Sequence, residues 1–311
     1  MKTPFLSKKR NVALVAIAYT FMWGCAFPIV KLCMDAFNVD AGDNMSTCLV
    51  AGVRFILSGI VTLLIHAFGH PGDKSPRKAE LKYIVAYGIF GTAIQYALTY
   101  IGLSTVDGSK GAVFDQLCVF IVILFSGLLF KNDKLSVTKL IGCAAGILGI
   151  VFINTDGISF TFSFMGEGMM IGAALCQTAA YFTAKAAADK VAATKLVGGA
   201  QLLGGILLTI FSLCMGGRIT TINLTAVITL LLLVGISSAA YVLSLMPLKY
   251  FPASEISVFN LLITVFGVVM SAVILGEDIW KINYLISLLL VSAGIIAVNY
   301  RRKERVHGSN I

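Results

Sequence analysis

Two charged side chains, Arg54 and Asp115, interrupt stretches of sequence that are otherwise apolar. If those stretches are membrane helices, each charge lies about eight residues, or about 12 Å, from the same end of its helix. A charge at the centre of a bilayer costs about 2.5–3.5 kcal/mol on insertion scales, and opposite charges at equal depth would reduce that cost by pairing. The carboxylate of Asp115 could then bind a proton or an amine. Two alternatives remain open: Arg54 extends outward to the membrane surface, or Asp115 hydrogen-bonds the start of its own helix.

The second half of the sequence carries amides where the first half carries these charges. Two segments align without a gap at a constant offset of 145, and 14 of their 59 positions are identical: residues 96–154 and 241–299. This offset equates Asp115 with Asn260, while an offset of 147 brings Arg54 onto Gln201. A carboxylate present in one half only could bind its proton or amine asymmetrically.

Polar side chains also recur at helical spacing inside the apolar stretches, and such rows face away from lipid. The residues that we expect along a pathway are Trp23, Gln95, Tyr96, Tyr100, Gln177, Tyr181, Tyr241 and Asn260. Hydrogen bonds between helices, worth about 0.6 kcal/mol each on average, would explain the rows equally well. Tyr96 and Tyr241 are equivalent at the offset of 145 and are the best candidates for matched gates or cavity walls. Trp23 is either a cavity wall or an interfacial anchor.

The composition indicates which elements hold these residues. Of 311 residues, 58% are apolar and 13% are charged, and this charged fraction is about half that of a typical soluble domain. The chain is therefore unlike a soluble enzyme, a nucleic-acid-binding domain or a disordered protein. Apolar runs of about 20 residues suit membrane helices, and they predict ten spans: 12–31, 46–69, 82–103, 107–129, 136–154, 166–187, 196–216, 224–247, 253–275 and 280–300.

The distribution of Lys and Arg predicts the orientation of these spans. With the amino terminus inside, the inner segments hold 19 of the 24 Lys and Arg residues and the outer segments hold four. Cytoplasmic segments carry such an excess, so both termini are expected in the cytoplasm. The same asymmetry accounts for the net charge of +9 without any nucleic-acid partner.

Each half of the chain contains five predicted spans, residues 12–154 and 166–300. Because five is odd, the second half must be inverted in the membrane relative to the first. The predicted fold is therefore all-α and integral to the membrane, with ten transmembrane helices in two inverted five-helix repeats. Inverted repeats with a midplane binding site are a feature of secondary transporters.

Several short motifs, taken in order, resemble the EamA family of ten-span permeases in the drug/metabolite transporter superfamily. They are Trp23-Gly24-x-x-Phe27 with Lys31, Arg54-Phe55, Gly102-Leu103, Gly276-Glu277-Asp278 and Gly294. Two departures are the run Lys131-Asn132-Asp133, where the family often has an acidic residue, and the absence of a proline from the fourth span. The resemblance implies transport of amino acids, other small metabolites or toxic compounds, often outward.

We therefore expect a secondary transporter that moves a small polar or amphipathic, amino-acid-like metabolite across the plasma membrane. A proton is the candidate coupling ion through Asp115 and Arg54. A facilitative carrier or a channel without ion coupling is the alternative.

The sequence has no G-x-x-x-x-G-K-[ST], H-E-x-x-H or G-x-S-x-G motif, so we expect no enzyme activity, no cofactor and no metal. The expected partners are a small-molecule substrate and the lipid bilayer, with the chain as a monomer or a homodimer.

Overall fold

The computed structural model describes residues 6, 8–40, 42–73, 77–103, 116–130, 136–153 and 163–276, together with positions 286, 289, 290 and 293. Every regular element within these residues is helical. The α-helices are α1 (Lys9–Ala36), α2 (Asn44–Gly69), α3 (Lys78–Gly88), α4 (Gln95–Leu103), α5 (Leu117–Leu129), α6 (Val137–Ile153), α7 (Met169–Ala187), α8 (Ala193–Cys214), α9 (Leu224–Leu245), α10 (Ala253–Ser257) and α11 (Leu261–Leu275). Short π-helical or 3₁₀ segments adjoin several of them, at Ile89–Ile94, Phe164–Gly168, Met246–Lys249 and Val258–Asn260.

Six helices among the described residues are long and apolar enough to cross a membrane. They are Arg10–Ala36, Asn44–Gly69, Lys78–Gly102, Ala193–Cys214, Leu224–Lys249 and Ala253–Leu275. The third of these is continuous from α3 through a π-helical segment into α4. The spans predicted at 107–129, 136–154 and 166–187 contain the helices α5, α6 and α7, whereas most of the span predicted at 280–300 lies outside the described residues. The described part of the chain is thus all helical, with helices suited to a multi-pass membrane protein, and the count of ten spans stays a prediction.

Polar residues at the helix ends mark where several of these helices begin. The Asp43 side chain accepts a hydrogen bond from Ser46 N at 3.0 Å and caps α2. Hydrogen bonding from the Ser46 side chain, together with this backbone bond, holds the pKa of the Asp43 carboxyl below its ordinary value. Asn223 caps α9 in the same way. Such caps satisfy amide donors that have no partner within the helix. At the other end, α11 stops at Gly276, whose φ of 72° suits glycine.

Helices of the first half pack mainly against helices of the second half. The contacts between α2 and α8 are the most extensive, while α1 packs against α9 and α11, and α4 against α7. Glycines allow the close approach of α2 to α8: a Cβ on Gly59 would lie 2.5 Å from Leu202 N, and one on Gly205 would lie 2.7 Å from Ile56 N. Small residues permit such backbone contact between membrane helices. This packing brings polar residues that are far apart in sequence to the same level of the bundle.

Candidate functional site

Two tyrosines that the sequence equates across its halves contact each other between α4 and α9. The hydroxyl oxygens of Tyr96, on α4, and Tyr241, on α9, are hydrogen-bonded at 2.8 Å. Their separation in sequence, 145 residues, is the offset of the internal repeat. A direct bond between equivalent residues is what a two-fold relation between the halves would produce at its axis.

Aromatic rings from three helices, α1, α2 and α4, surround this pair. The ring of Trp23 lies 4.7 Å from that of Tyr241 and perpendicular to it, and the ring of Phe55 lies 4.6 Å from that of Tyr96. Tyr100 follows one turn after Tyr96, with ring centroids 6.1 Å apart. We call these five residues the aromatic cluster. Edge-to-face and offset contacts of this kind are favourable for aromatic pairs.

Arg54 lies inside the bundle next to the aromatic cluster. Its side chain is 4% exposed, its Nε–H donates a hydrogen bond to Ser237 Oγ at 2.8 Å, and its guanidinium carbon lies 4.9 Å from the centre of the Phe55 ring. In the described part of the chain no carboxylate lies within 4.0 Å of this guanidinium. Asp115, the expected partner, lies outside the described residues.

A buried polar network continues from Arg54 along the interface of α2, α8 and α9. Ser58 Oγ donates to Gln201 Oε1 at 2.7 Å and lies 2.9 Å from Ser238 Oγ. Gln201 Nε2 in turn donates to the Ser237 carbonyl at 3.4 Å. Arg54 and Gln201 occupy approximately equivalent positions in the two halves. Both contact the same residue, Ser237.

The other predicted pathway residues are not part of the aromatic cluster. Asn260 Oδ1 accepts a hydrogen bond from the Tyr19 hydroxyl at 3.1 Å. Tyr181 packs in the apolar core that Tyr241 also borders. Gln95 is buried at the start of α4, and Gln177 is half-buried on α7.

Two residues that contact predicted pathway residues are missing from the prediction, Phe55 beside Tyr96 and Tyr19 beside Asn260. Phe55 could have been found from its place beside Arg54 in the sequence motif. Tyr19 lies one helical turn before Trp23, and a tyrosine in an apolar run was the available signal. Both are fully buried, and an apolar environment is where an aromatic ring is ordinarily found, so their types alone did not distinguish them from core residues.

A second charged cluster lies where the α2–α3 connection meets the start of α8. The ammonium of Lys195, 2% exposed, contacts Asp73 Oδ1 at 2.5 Å and Glu80 Oε2 at 2.8 Å. The hydrogen bond from Lys195 holds the pKa of the Asp73 carboxyl below its ordinary value. His66 joins the cluster, with Nδ1 2.8 Å from Thr194 Oγ1. The sequence placed Lys195 among the basic residues of a connecting segment, whereas the structure buries it between the two halves of the chain.

Comparison with known proteins identifies relatives along the whole chain. The model of the EamA-like transporter family matches residues 10–155 and 164–300. The uncharacterized transporter YvbV of Bacillus subtilis (strain 168) is 24% identical over 313 residues, which cover 96% of this chain and 94% of that protein. An uncharacterized transporter of Haemophilus influenzae (strain ATCC 51907 / DSM 11121 / KW20 / Rd) is 22% identical over 309 residues, 94% of this chain and 99% of that protein. One solved structure superposes with a TM-score of 0.75 at 14% identity, covering 96% of this chain and 100% of the other, so the likeness concerns the fold.

Proposed function

We propose that this chain, which belongs to the EamA-like transporter family and is a membrane transporter, moves a small amphipathic, amino-acid-like metabolite as a secondary transporter. The proposed architecture is ten spans in two inverted halves, residues 12–154 and 166–300, in the plasma membrane with both termini in the cytoplasm. Efflux driven by a proton gradient is the proposed direction and coupling, with Asp115 as the proton-binding residue.

The observation that carries this proposal is the arrangement of Arg54 beside the aromatic cluster. Arg54 and Phe55 come from α2, Tyr96 and Tyr100 from α4, and Tyr241 from α9, so helices of both halves contribute. A site shared by both halves changes its access when the halves move relative to each other. That is the requirement of alternating access around a fixed midplane site.

The free hydrogen-bonding capacity of Arg54 favours a carboxylate as part of the substrate. A guanidinium has five N–H donors, and only Nε is bonded within the described part of the chain. Its two terminal nitrogens form a planar fork that matches a carboxylate. Removing this cation from water costs free energy, which a bound carboxylate would partly offset.

The neighbouring rings favour an apolar body on the same substrate. The ring of Phe55 lies beside the cation, and the rings of Tyr96 and Trp23 extend this aromatic surface through Phe55 and Tyr241. One guanidinium cannot neutralise several negative charges, so a multiply charged anion fits the site poorly. A zwitterion with an apolar side chain fits better, and Asp115 could then attract its amine.

Counterflow in proteoliposomes tests this function. The purified full chain is reconstituted, the vesicles are loaded with an unlabelled amino acid, and entry of the labelled compound is followed across a panel of aliphatic and aromatic amino acids. We expect saturable flux that is accelerated by the loaded compound. Flux that neither saturates nor shows counterflow would indicate a channel, and transport restricted to multiply charged anions would refute the proposed substrate class.

A further inference from the structure

We propose that the pocket formed by Arg77, Lys82, Tyr83 and Lys190 binds the phosphate group of an anionic lipid. We call it the Tyr83 pocket; Ala79 and Glu80 complete its lining. It is distinct from the aromatic cluster and has no part in the proposed transport chemistry. It lies between the start of α3 and the turn that joins α7 to α8.

Two ammonium groups converge on one tyrosine in this pocket. Lys190 Nζ donates a hydrogen bond to the Tyr83 hydroxyl at 2.7 Å and lies 5.1 Å from the ring centre. Lys82 Nζ lies 5.0 Å from the same ring centre. Cation–π attraction holds each cation near the ring, but the two positive charges repel each other. An anion placed between them would remove that repulsion.

The pocket has an excess of positive charge that its own acidic residue does not balance. Glu80 is the acidic side chain in the lining, and its carboxylate already contacts Lys195 at 2.8 Å and accepts a hydrogen bond from Arg77 N at 2.9 Å. Among the described residues no carboxylate lies within 4.0 Å of the side-chain nitrogens of Arg77, Lys82 or Lys190. Three cations are therefore available to a ligand phosphate.

The position of the pocket favours a lipid over a soluble phosphate. Lys78 is the first residue of the apolar helix Lys78–Gly102, so Tyr83 lies about one turn inside its end, near the headgroup layer. Phe90, seven residues further along the same face, is 40% exposed and offers an apolar surface to an acyl chain. Basic pockets between membrane helices on the cytoplasmic side suit anionic headgroups, and the charge asymmetry of the sequence predicts that side for this end.

Titration of the detergent-solubilised full chain with phosphatidylglycerol, phosphatidylcholine and inorganic phosphate tests the proposal, with thermal stability as the readout of binding. We expect phosphatidylglycerol to stabilise the protein more than phosphatidylcholine does. The double variant Lys82→Gln/Lys190→Gln should bind phosphatidylglycerol about 30-fold more weakly, because each lysine that contacts the bound phosphate directly contributes about a factor of five. The matched control is Lys78→Gln/Lys249→Gln, which removes the same charge from exposed sites outside the pocket and should change binding less than about threefold.

Three results would overturn the proposal. Equal weakening by both double variants would indicate general electrostatic attraction, and equal stabilisation by both phospholipids would exclude a site for anionic headgroups. Binding of inorganic phosphate as tight as that of phosphatidylglycerol would indicate a soluble anion instead. If the pocket double variant does not fold, Tyr83→Phe keeps the ring and removes only the hydroxyl that positions Lys190, and it should weaken phosphatidylglycerol binding about threefold; an unchanged affinity in that variant would also refute the site.

Discussion

The hydroxyl groups of Tyr96 and Tyr241 form one hydrogen bond between them, so each tyrosine is bonded to its equivalent in the other half of the sequence. Replacing either tyrosine by phenylalanine removes the same bond and leaves both rings in place. We expect each single variant to lose about 1 kcal/mol of stability or more, and the double variant to lose about 1 kcal/mol less than the sum of the two single losses, because both substitutions remove the one shared bond. Unfolding of the detergent-solubilised protein measures this double-mutant cycle.

Tyr100→Phe is the control for that cycle, since the Tyr100 ring borders the same cluster and no hydrogen bond of its hydroxyl is found within the described residues. It should leave stability unchanged to within about 0.5 kcal/mol. Additive losses in the double variant would mean that the two hydroxyls have separate partners.

Arg54 should determine whether the transporter distinguishes a carboxylate from an uncharged analogue. Arg54→Gln removes the charged fork, and we expect KM for an amino acid to rise about 10- to 100-fold, while KM for the corresponding amino-acid amide changes little. Arg54→Lys keeps the charge without the planar fork. Its KM for the amino acid should lie between the values of the unmodified protein and of Arg54→Gln. Competition by each compound in the counterflow assay gives the ratio of the KM values for the amino acid and its amide.

Ser237→Ala provides the matched control for Arg54, because it removes the bond to Nε and keeps the cation. Its effect on the ratio of the two KM values should be less than about threefold. If Arg54→Gln retained saturable transport with an unchanged preference for the carboxylate, the role of Arg54 would be refuted and the transport function would stand.

Asp115→Asn should separate proton coupling from transport. The substitution copies the amide of Asn260 at the equivalent position and removes the titration of the carboxyl group. We expect the variant to lose flux driven by a pH gradient and to retain substrate exchange. Full pH-driven flux in Asp115→Asn would leave this residue with a structural role and would favour the facilitative carrier.

Asp73 should contribute to stability in a pH-dependent way. Its pKa is lowered from 3.8, mainly by the hydrogen bond from Lys195, so the folded state binds the proton less readily than the unfolded state. The contribution is therefore complete above pH 3.8 and is lost as the pH falls through the lower pKa of the folded protein. Thermal unfolding of Asp73→Asn and the unmodified chain should differ near neutral pH and converge in strong acid.

The comparison for Asp73 is Asp189→Asn, which removes an exposed carboxylate near the same end of the bundle. It should leave the thermal midpoint unchanged at both pH values. A constant difference between Asp73→Asn and the unmodified protein over the whole pH range would contradict a contribution from the charged carboxylate.

The sequence was informative where a pattern repeated. A gapless offset equated Tyr96 with Tyr241, and equivalent residues near a two-fold axis are brought together by the symmetry itself. It also indicated the helical membrane fold, since apolar runs of helical length have few other stable structures in lipid. The bond between Tyr19 and Asn260 had no such signal, because it depends on how α1 packs beside α11.

Lys195 illustrates why burial was harder to predict. A lysine at the end of an apolar run ordinarily extends into water, and its neighbours in sequence are consistent with that. Its partners, Asp73 and Glu80, lie more than a hundred residues earlier and reach it only because α2 packs along α8. The burial of this ion pair is thus a property of the packing between helices.

The glycine contacts between α2 and α8 have a consequence for how the chain tolerates substitution. Alanine ordinarily stabilises a helix by about 1 kcal/mol relative to glycine. At Gly59 and Gly205 the added methyl would meet backbone atoms of the opposite helix at 2.5 and 2.7 Å, so the usual sign reverses. In a scan of all single substitutions, Gly59 and Gly205 should therefore be among the positions that tolerate fewest replacements, although glycine has no reactive side chain. Many exposed lysines, by contrast, should tolerate almost any replacement.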